Sequence, residues 1–175
     1  MFAVLLAMAT VQEAPEPDID WDAEFGVEER VRDPETGEFV VEPYVESNTN
    51  AGADPFLNGS MARIFGEQEG IRRIAERTVA ISQDDPRITA IFAAHDMVRL
   101  RRTLFEQFCY ILNAGCDYTG RDMKTAHAQM GVERSDLNAL VENLQQAMGE
   151  ADISFAAQNR FLSKLAPMSK HIVTR

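Results

Sequence analysis

From Asp54 onward apolar residues recur three and four apart, the spacing of one buried helix face. Ser60 to Phe65 forms a short predicted helix. Glu69 to Gln83 forms a second, with Ile71, Ile74, Ala75, Thr78 and Val79 on one side. It stops at Asp84-Asp85-Pro86, because proline disfavours helix in the residue before it. Pro86 opens a short helix to about Phe92. Asp96 can cap a long helix to Leu112, whose apolar stripe is Met97, Leu100, Leu104, Phe108 and Ile111. Asn113-Ala114-Gly115 ends it. Thr119-Gly120-Arg121-Asp122 has a capping-box pattern and opens a short helix that stops at Gly131. Ser135 can cap a further helix with Leu137, Leu140, Val141, Leu144 and Met148 on one face. The last predicted helix runs from Ser154 to Ile172, with Ala157, Phe161, Leu165, Met168 and Ile172 inward. Nothing after residue 55 alternates with period two. Residues 55–175 therefore read as an all-α domain of six or seven helices.

The first 54 residues have a different texture. Residues 1–9 are a short apolar run ending in Ala7-Met8-Ala9, a small-x-small pattern like the back half of a secretory signal peptide. The basic stretch that normally precedes it is missing, so the expectation is a signal-peptide-like remnant with the true start upstream. The alternative is a plain hydrophobic N-terminus on a cytoplasmic protein. Residues 10–54 are rich in Glu, Asp and Pro, with Trp21 and few large apolar residues. Such a segment buries too little surface to offset its ordering entropy, and it reads as a mostly disordered acidic linker. Within it, Val31-Arg32 and Phe39-Val40-Val41 flank Asp33-Pro34-Glu35-Thr36-Gly37, which suits a small hairpin.

Composition sharpens this division. The 175 residues are 45% apolar and 26% charged, an ordinary globular mix. The formal net charge is −11. Residues 1–54 hold 14 Asp/Glu against two Arg, so the helical domain is nearly neutral. An acidic chain is repelled by phosphate backbones, which argues against a nucleic-acid partner. No apolar run is long enough for a membrane-spanning helix.

The candidate chemistry lies on the short helix after Asp122. Met123, Ala126, His127 and Met130 share one face. Taken alone, His127 reads as a core histidine satisfied by a backbone carbonyl. The long helix adds an apolar stripe with Arg99, Arg101 and Arg102 beside it. An apolar slot with an imidazole on one wall and cations at its mouth suits haem, since iron takes imidazole and the propionates want guanidinium or ammonium groups. Plain helix packing and a solvated arginine face are the alternatives.

Residues 56–173 resemble the group 1 truncated haemoglobins, the short two-over-two globins. The matching text is Ile91-Phe92, Met97-Val98-Arg99-Leu100, Tyr118-Thr119-Gly120-Arg121-Asp122-Met123 leading to Ala126-His127, then Met130-Gly131-Val132 and Leu165-Ala166-Pro167. The resemblance implies a two-over-two helical sandwich around haem b (iron protoporphyrin IX), with His127 as the proximal iron ligand. It implies that Phe92 packs on the haem. Leu100, Leu104 and Met97 would line the distal side, and Met123, Ala126 and Val132 the proximal side. Arg99 would approach a propionate with Tyr118 nearby.

The departures bear on the ligand. Relatives that hold oxygen tightly carry Tyr where this chain has Val79, and often Gln where it has Leu104. The distal pocket of Val79, Leu100 and Leu104 is apolar. A charge-assisted hydrogen bond to bound oxygen contributes roughly 1.5–3 kcal/mol, and no donor for one stands directly above the iron. Gln107 replaces a haem-packing Phe, and Thr103 lies near; either offers a weaker donor. The family's glycine pairs appear here as Gly66-Glu67 and Asn113-Ala114. His95 falls outside the slot, and His171 reads as a surface residue.

Cys109 and Cys116 would stand about 10.5 Å apart in an unbroken helix, beyond disulfide reach. The helix ends between them, so the chain can fold back. A pair would fit an oxidising compartment, in line with export to the periplasm or cell envelope. Two reduced thiols in the cytoplasm are the alternative. The leading functional reading is a haem globin that reversibly binds a diatomic gas (O2, NO or CO). The others are a haem-dependent NO- or peroxide-detoxifying enzyme fed by a reductase, and a haem-free interaction module.

Overall fold

A computed structural model describes residues 30–93 and 95–175. The leader at 1–9 and the linker up to residue 29, including Trp21, lie outside the described residues. The chain divides into two units, 1–31 and 32–175, and the second holds every element discussed below. The sequence places the domain boundary at 54/55, whereas the unit begins at Arg32. Its first residues earn their place through hydrogen bonds to the helices rather than through apolar burial, and composition does not reveal such bonds.

Among the described residues, eight α-helices follow the 3-10 turn Asn48–Ala51: α1 (Ser60–Ile64), α2 (Glu67–Asp84), α3 (Thr89–Ala93), α4 (Met97–Leu112), α5 (Met123–His127), α6 (Arg134–Glu150), α7 (Phe155–Leu165) and α8 (Ser169–Ile172). The fold is the expected all-α two-over-two arrangement. α2 packs against α4 and against α6, α6 meets α7, and α5 meets α8. α2 buries Gly70, Ile71, Ile74, Ala75, Thr78, Val79 and Ser82. The two hydroxyls on that face are satisfied locally: Thr78 donates to the Ile74 carbonyl and Ser82 to that of Thr78. At the centre the Phe161 ring meets Phe65 and Phe108 edge-on, at centroid distances of 5.4 and 5.0 Å, the geometry that aromatic quadrupoles favour.

The long helix starts as expected. The Asp96 carboxylate accepts from the backbone N–H groups of Val98 and Arg99. Its C-terminal half, from Phe105 to Leu112, enters the core, but Met97, Leu100 and Leu104 stay half-buried. The α4 stripe thus leaves the core in its first two turns. Three other boundaries shift. α5 ends at His127 rather than Gly131. α6 is capped at Glu133, whose backbone N–H donates to Asp136, rather than at Ser135. The last predicted helix is three pieces, α7, a 3-10 turn at Ala166–Met168, and α8. Pro167 sits in that turn and has no N–H to continue the ladder.

Cys109 and Cys116 form a disulfide with Cα atoms 5.6 Å apart. Asn113 and Gly115, both at positive φ, reverse the chain between them. Ahead of the helices, Arg32 and Phe39 form an isolated antiparallel bridge across the predicted turn. Asp33 closes that turn by accepting from the N–H groups of Glu35 and Thr36, and Gly37 supplies the positive φ it requires.

Candidate functional site

α5 is only five residues long, and its position comes from both ends. Asp122 caps it by accepting from the Thr125 N–H at 3.0 Å. At the other end His127 Nδ1 lies 2.7 Å from the Met123 carbonyl oxygen, four residues back. That carbonyl is an acceptor, so Nδ1 carries the hydrogen and Nε2 keeps the lone pair for a ligand. Burial pushes the imidazole below its ordinary titration range, with a further push from the neighbouring His95. The bond to Met123 works the other way but does not outweigh burial, so the neutral form of the ring is favoured.

His127 lines an open cleft with Ile88, Ile91, Phe92, Val132, Asp136, Leu137, Leu140 and Ile172. The walls come from α3, the α5–α6 connection, α6 and α8. The Thr174 N–H donates to the Val132 carbonyl at 2.9 Å, fixing the residues after α8 beside this wall. Among the described residues no cluster of three or more His, Cys, Asp or Glu side chains could hold a bare metal ion.

Of the residues singled out in the sequence, the cleft brings together His127, Phe92 and Val132. Val79 is buried on the inner face of α2. Leu100 and Met97 are half-buried on the exposed start of α4, and Leu104 packs against the core edge. Met123 is buried, and its sulfur accepts from the Gln107 amide. Gln107 also donates to the Ala51 carbonyl at 2.9 Å, so it serves the packing between α4, α5 and the first turn. Tyr118 is buried, with its hydroxyl donating to the Arg121 carbonyl. Arg99 does not extend toward the cleft's apolar walls: its guanidinium lies 3.2 Å from Glu38 and donates to the Phe39 carbonyl. His95 is exposed, its Nδ1 2.5 Å from the Ile91 carbonyl.

Sequence reasoning missed Ile88, Ile91 and Asp136 as lining residues. The two isoleucines lie around a short turn where no helical period has room to show. Leu137, Leu140 and Ile172 were legible as inward positions, but not as walls of this particular cleft.

A globin-type fold with one imidazole on an apolar cleft defines the class. A family model described as bacterial-like globin matches residues 63–174, and the chain belongs to that family. It is similar to the group 1 truncated hemoglobin GlbN of Mycolicibacterium paratuberculosis, at 24% identity over 110 residues, 63% of this chain and 81% of the relative. Its fold is similar to the truncated hemoglobin of Tetrahymena pyriformis in its Fe(III) form, with a TM-score of 0.63, 18% identity, and coverage of 66% of this chain and 98% of that one. It is also similar to the 2/2 hemoglobin of Synechococcus sp. PCC 7002, solved in the cyanomet state with covalently attached heme, with a TM-score of 0.61, 18% identity, and coverage of 66% and 99%.

The donor set fits the haem that the sequence resemblance implies. One neutral imidazole has its second nitrogen engaged by a carbonyl, the usual way a metal-binding histidine is oriented. The surrounding walls are aliphatic and aromatic apart from Asp136, whose carboxylate accepts from the Glu133 N–H.

Proposed function

We propose that this chain is a haem-binding globin that reversibly binds a diatomic gas, with His127 Nε2 as the iron ligand. The observation that carries this reading is the orientation of His127, with Nδ1 engaged by the Met123 carbonyl at the wall of an apolar cleft. When bound, haem supplies an iron centre with an open coordination position. The chain's own residues do the rest. Met123 fixes the tautomer and the ring plane. Phe92, Val132, Leu137 and Leu140 would exclude water and pack against the group. The sequence resemblance assigns Val79, Leu100 and Leu104, which do not line the cleft of His127, to the distal side; none carries a side-chain hydrogen-bond donor, so a distal side built from them would favour NO, CO, or weak and fast oxygen exchange. The Cys109–Cys116 disulfide supports an oxidising compartment, and hence export.

The test is the visible spectrum of the purified protein with added hemin, ferric and reduced. Haem uptake at one per chain, with a band shift under CO, is the expected result. His127→Gly is expected to lose the proximal-ligand signature, and added imidazole to restore it. Failure to take up hemin would end the haem reading; an unchanged His127→Gly spectrum would end the ligand assignment.

A further inference from the structure

Glu38 is a carboxylate with only 6% of its surface exposed, and it comes from a stretch whose composition reads as solvated. A buried carboxylate persists only when paired and hydrogen-bonded. Two arginines of α4 meet that need. Arg102 grips Glu38 through both Nε and Nη2, the second at 2.9 Å. The Arg99 guanidinium stands 3.2 Å from the same carboxylate and donates to the next residue's carbonyl at 2.6 Å. Arg99 Nε is buried without a hydrogen-bond partner, so this guanidinium is held by charge more than by a full set of bonds: Glu38 lies 3.2 Å from Nη2, and Asp96 stands further off, 3.9 Å from Nε.

The contacts continue past Glu38. Arg102 Nη1 donates to Glu106 at 2.9 Å and to the Thr119 hydroxyl. Glu106 in turn accepts from the Thr119 N–H at 3.0 Å and from its hydroxyl at 2.7 Å. Thr119 lies three residues before Asp122, which caps the His127 helix. Charge-assisted bonds therefore run from the hairpin, across α4, to the turn ahead of α5. Neighbouring contacts follow the same path: Tyr44 donates to the Thr119 carbonyl, and Asn48 pairs with both Asp117 and the Tyr118 N–H.

We propose that Glu38 is a positioning residue. It is the internal counter-ion of Arg99 and Arg102, and through Arg102 it holds α4, with Leu100 and Leu104, against the turn that leads to His127. Its consequence for haem rests on the haem reading above: these two arginines are engaged within the chain, and the carboxylates of haem do not depend on them.

The first measurement is hydrogen–deuterium exchange on the full chain as isolated, wild type against Glu38→Gln. Amides of residues 117–122 are expected to exchange about tenfold faster in the variant, with the α2 and α6 core unchanged. Glu35→Gln, an exposed change in the same hairpin, is expected to leave that turn as it was. Unchanged exchange at 117–122 in Glu38→Gln overturns the proposal. If Glu38→Gln also loosens the core, Thr119→Val cuts the same path at its far end. It must speed exchange in that turn, or the proposal fails. The second measurement is the rate of haem loss to an excess of acceptor globin, for haem and for its dimethyl ester. Glu38→Gln is expected to release both severalfold faster, by similar factors. Tighter retention of haem alone, with the ester unaffected, would mean that Arg99 and Arg102 serve the haem carboxylates and would overturn the counter-ion role. A chain that takes up no haem refutes the functional reading and leaves the exchange measurement decisive for this one.

Discussion

At Asp96 one carboxylate accepts three backbone N–H groups, from Val98 and Arg99 at the start of α4 and from Phe39 of the hairpin at 2.6 Å. Burial works against ionisation there, but the bonds from Phe39, Arg99 and Val98, with the Arg32 charge, outweigh it and hold the acid below the usual aspartate range. A carboxyl with a depressed folded-state pKa stabilises above its unfolded value, and that stability is lost as pH falls through the folded one. Asp96→Ala is therefore expected to cost about 0.5–2 kcal/mol at pH 7, the range for losing an N-cap. The difference from wild type should vanish toward pH 2, as followed by urea denaturation across pH. A pH-independent difference would mean that the charge of Asp96 contributes nothing. Gly70 shows the opposite constraint, one of space. A Cβ there would stand 2.1 Å from the Phe65 carbonyl oxygen, which is backbone and cannot swing aside. Gly70→Ala is expected to destabilise by about 1–3 kcal/mol, read as a lower urea midpoint.

Among the elements, the corner after α4 carries the most constraint. Asn113 takes φ 62, so the position that departs from the family's glycine pair keeps a left-handed backbone with a residue that tolerates it. Glu67 takes φ 55 as the first residue of α2 and lacks that tolerance. Glu67→Gly is expected to be neutral to stabilising, up to about 1 kcal/mol, as relief of strain offsets the greater freedom of glycine when unfolded. A lower thermal midpoint would show that the Glu67 side chain matters more than its backbone. The disulfide closes the α4 corner over a separation of seven residues. In the chain-entropy account a loop of that size stabilises by about 2–3 kcal/mol. Cys116→Ser and mild reduction of the wild type are expected to lower the denaturant midpoint by similar amounts. A reduced protein as stable as the oxidised one would contradict that account.

Across the whole molecule, the helices were legible because each buries a stripe with helical period, and a stripe can be read without knowing its partner. α2 and α4 were found within a few residues for that reason. The three-part C-terminal segment was not, because the apolar period runs on through Pro167 while the backbone hydrogen bonds do not. At the site, His127, Phe92 and Val132 were legible from local pattern and family resemblance together. Glu38 was not, because its partners lie 61 and 64 residues further along the chain and nothing near it in sequence announces burial. The acidic residues before Asp54 look alike as text, and among the described ones the fold buries Glu38. Arg99 carries the same lesson in reverse, since its apparent availability in the sequence disappears once the hairpin docks. The residues after α8 have a practical use. The Thr174 N–H is tied to Val132 on the cleft wall. A fluorophore attached near Thr174 would therefore sit beside the cleft proposed to take haem, and its quenching by energy transfer would report cofactor loading in real time, without isolating the product.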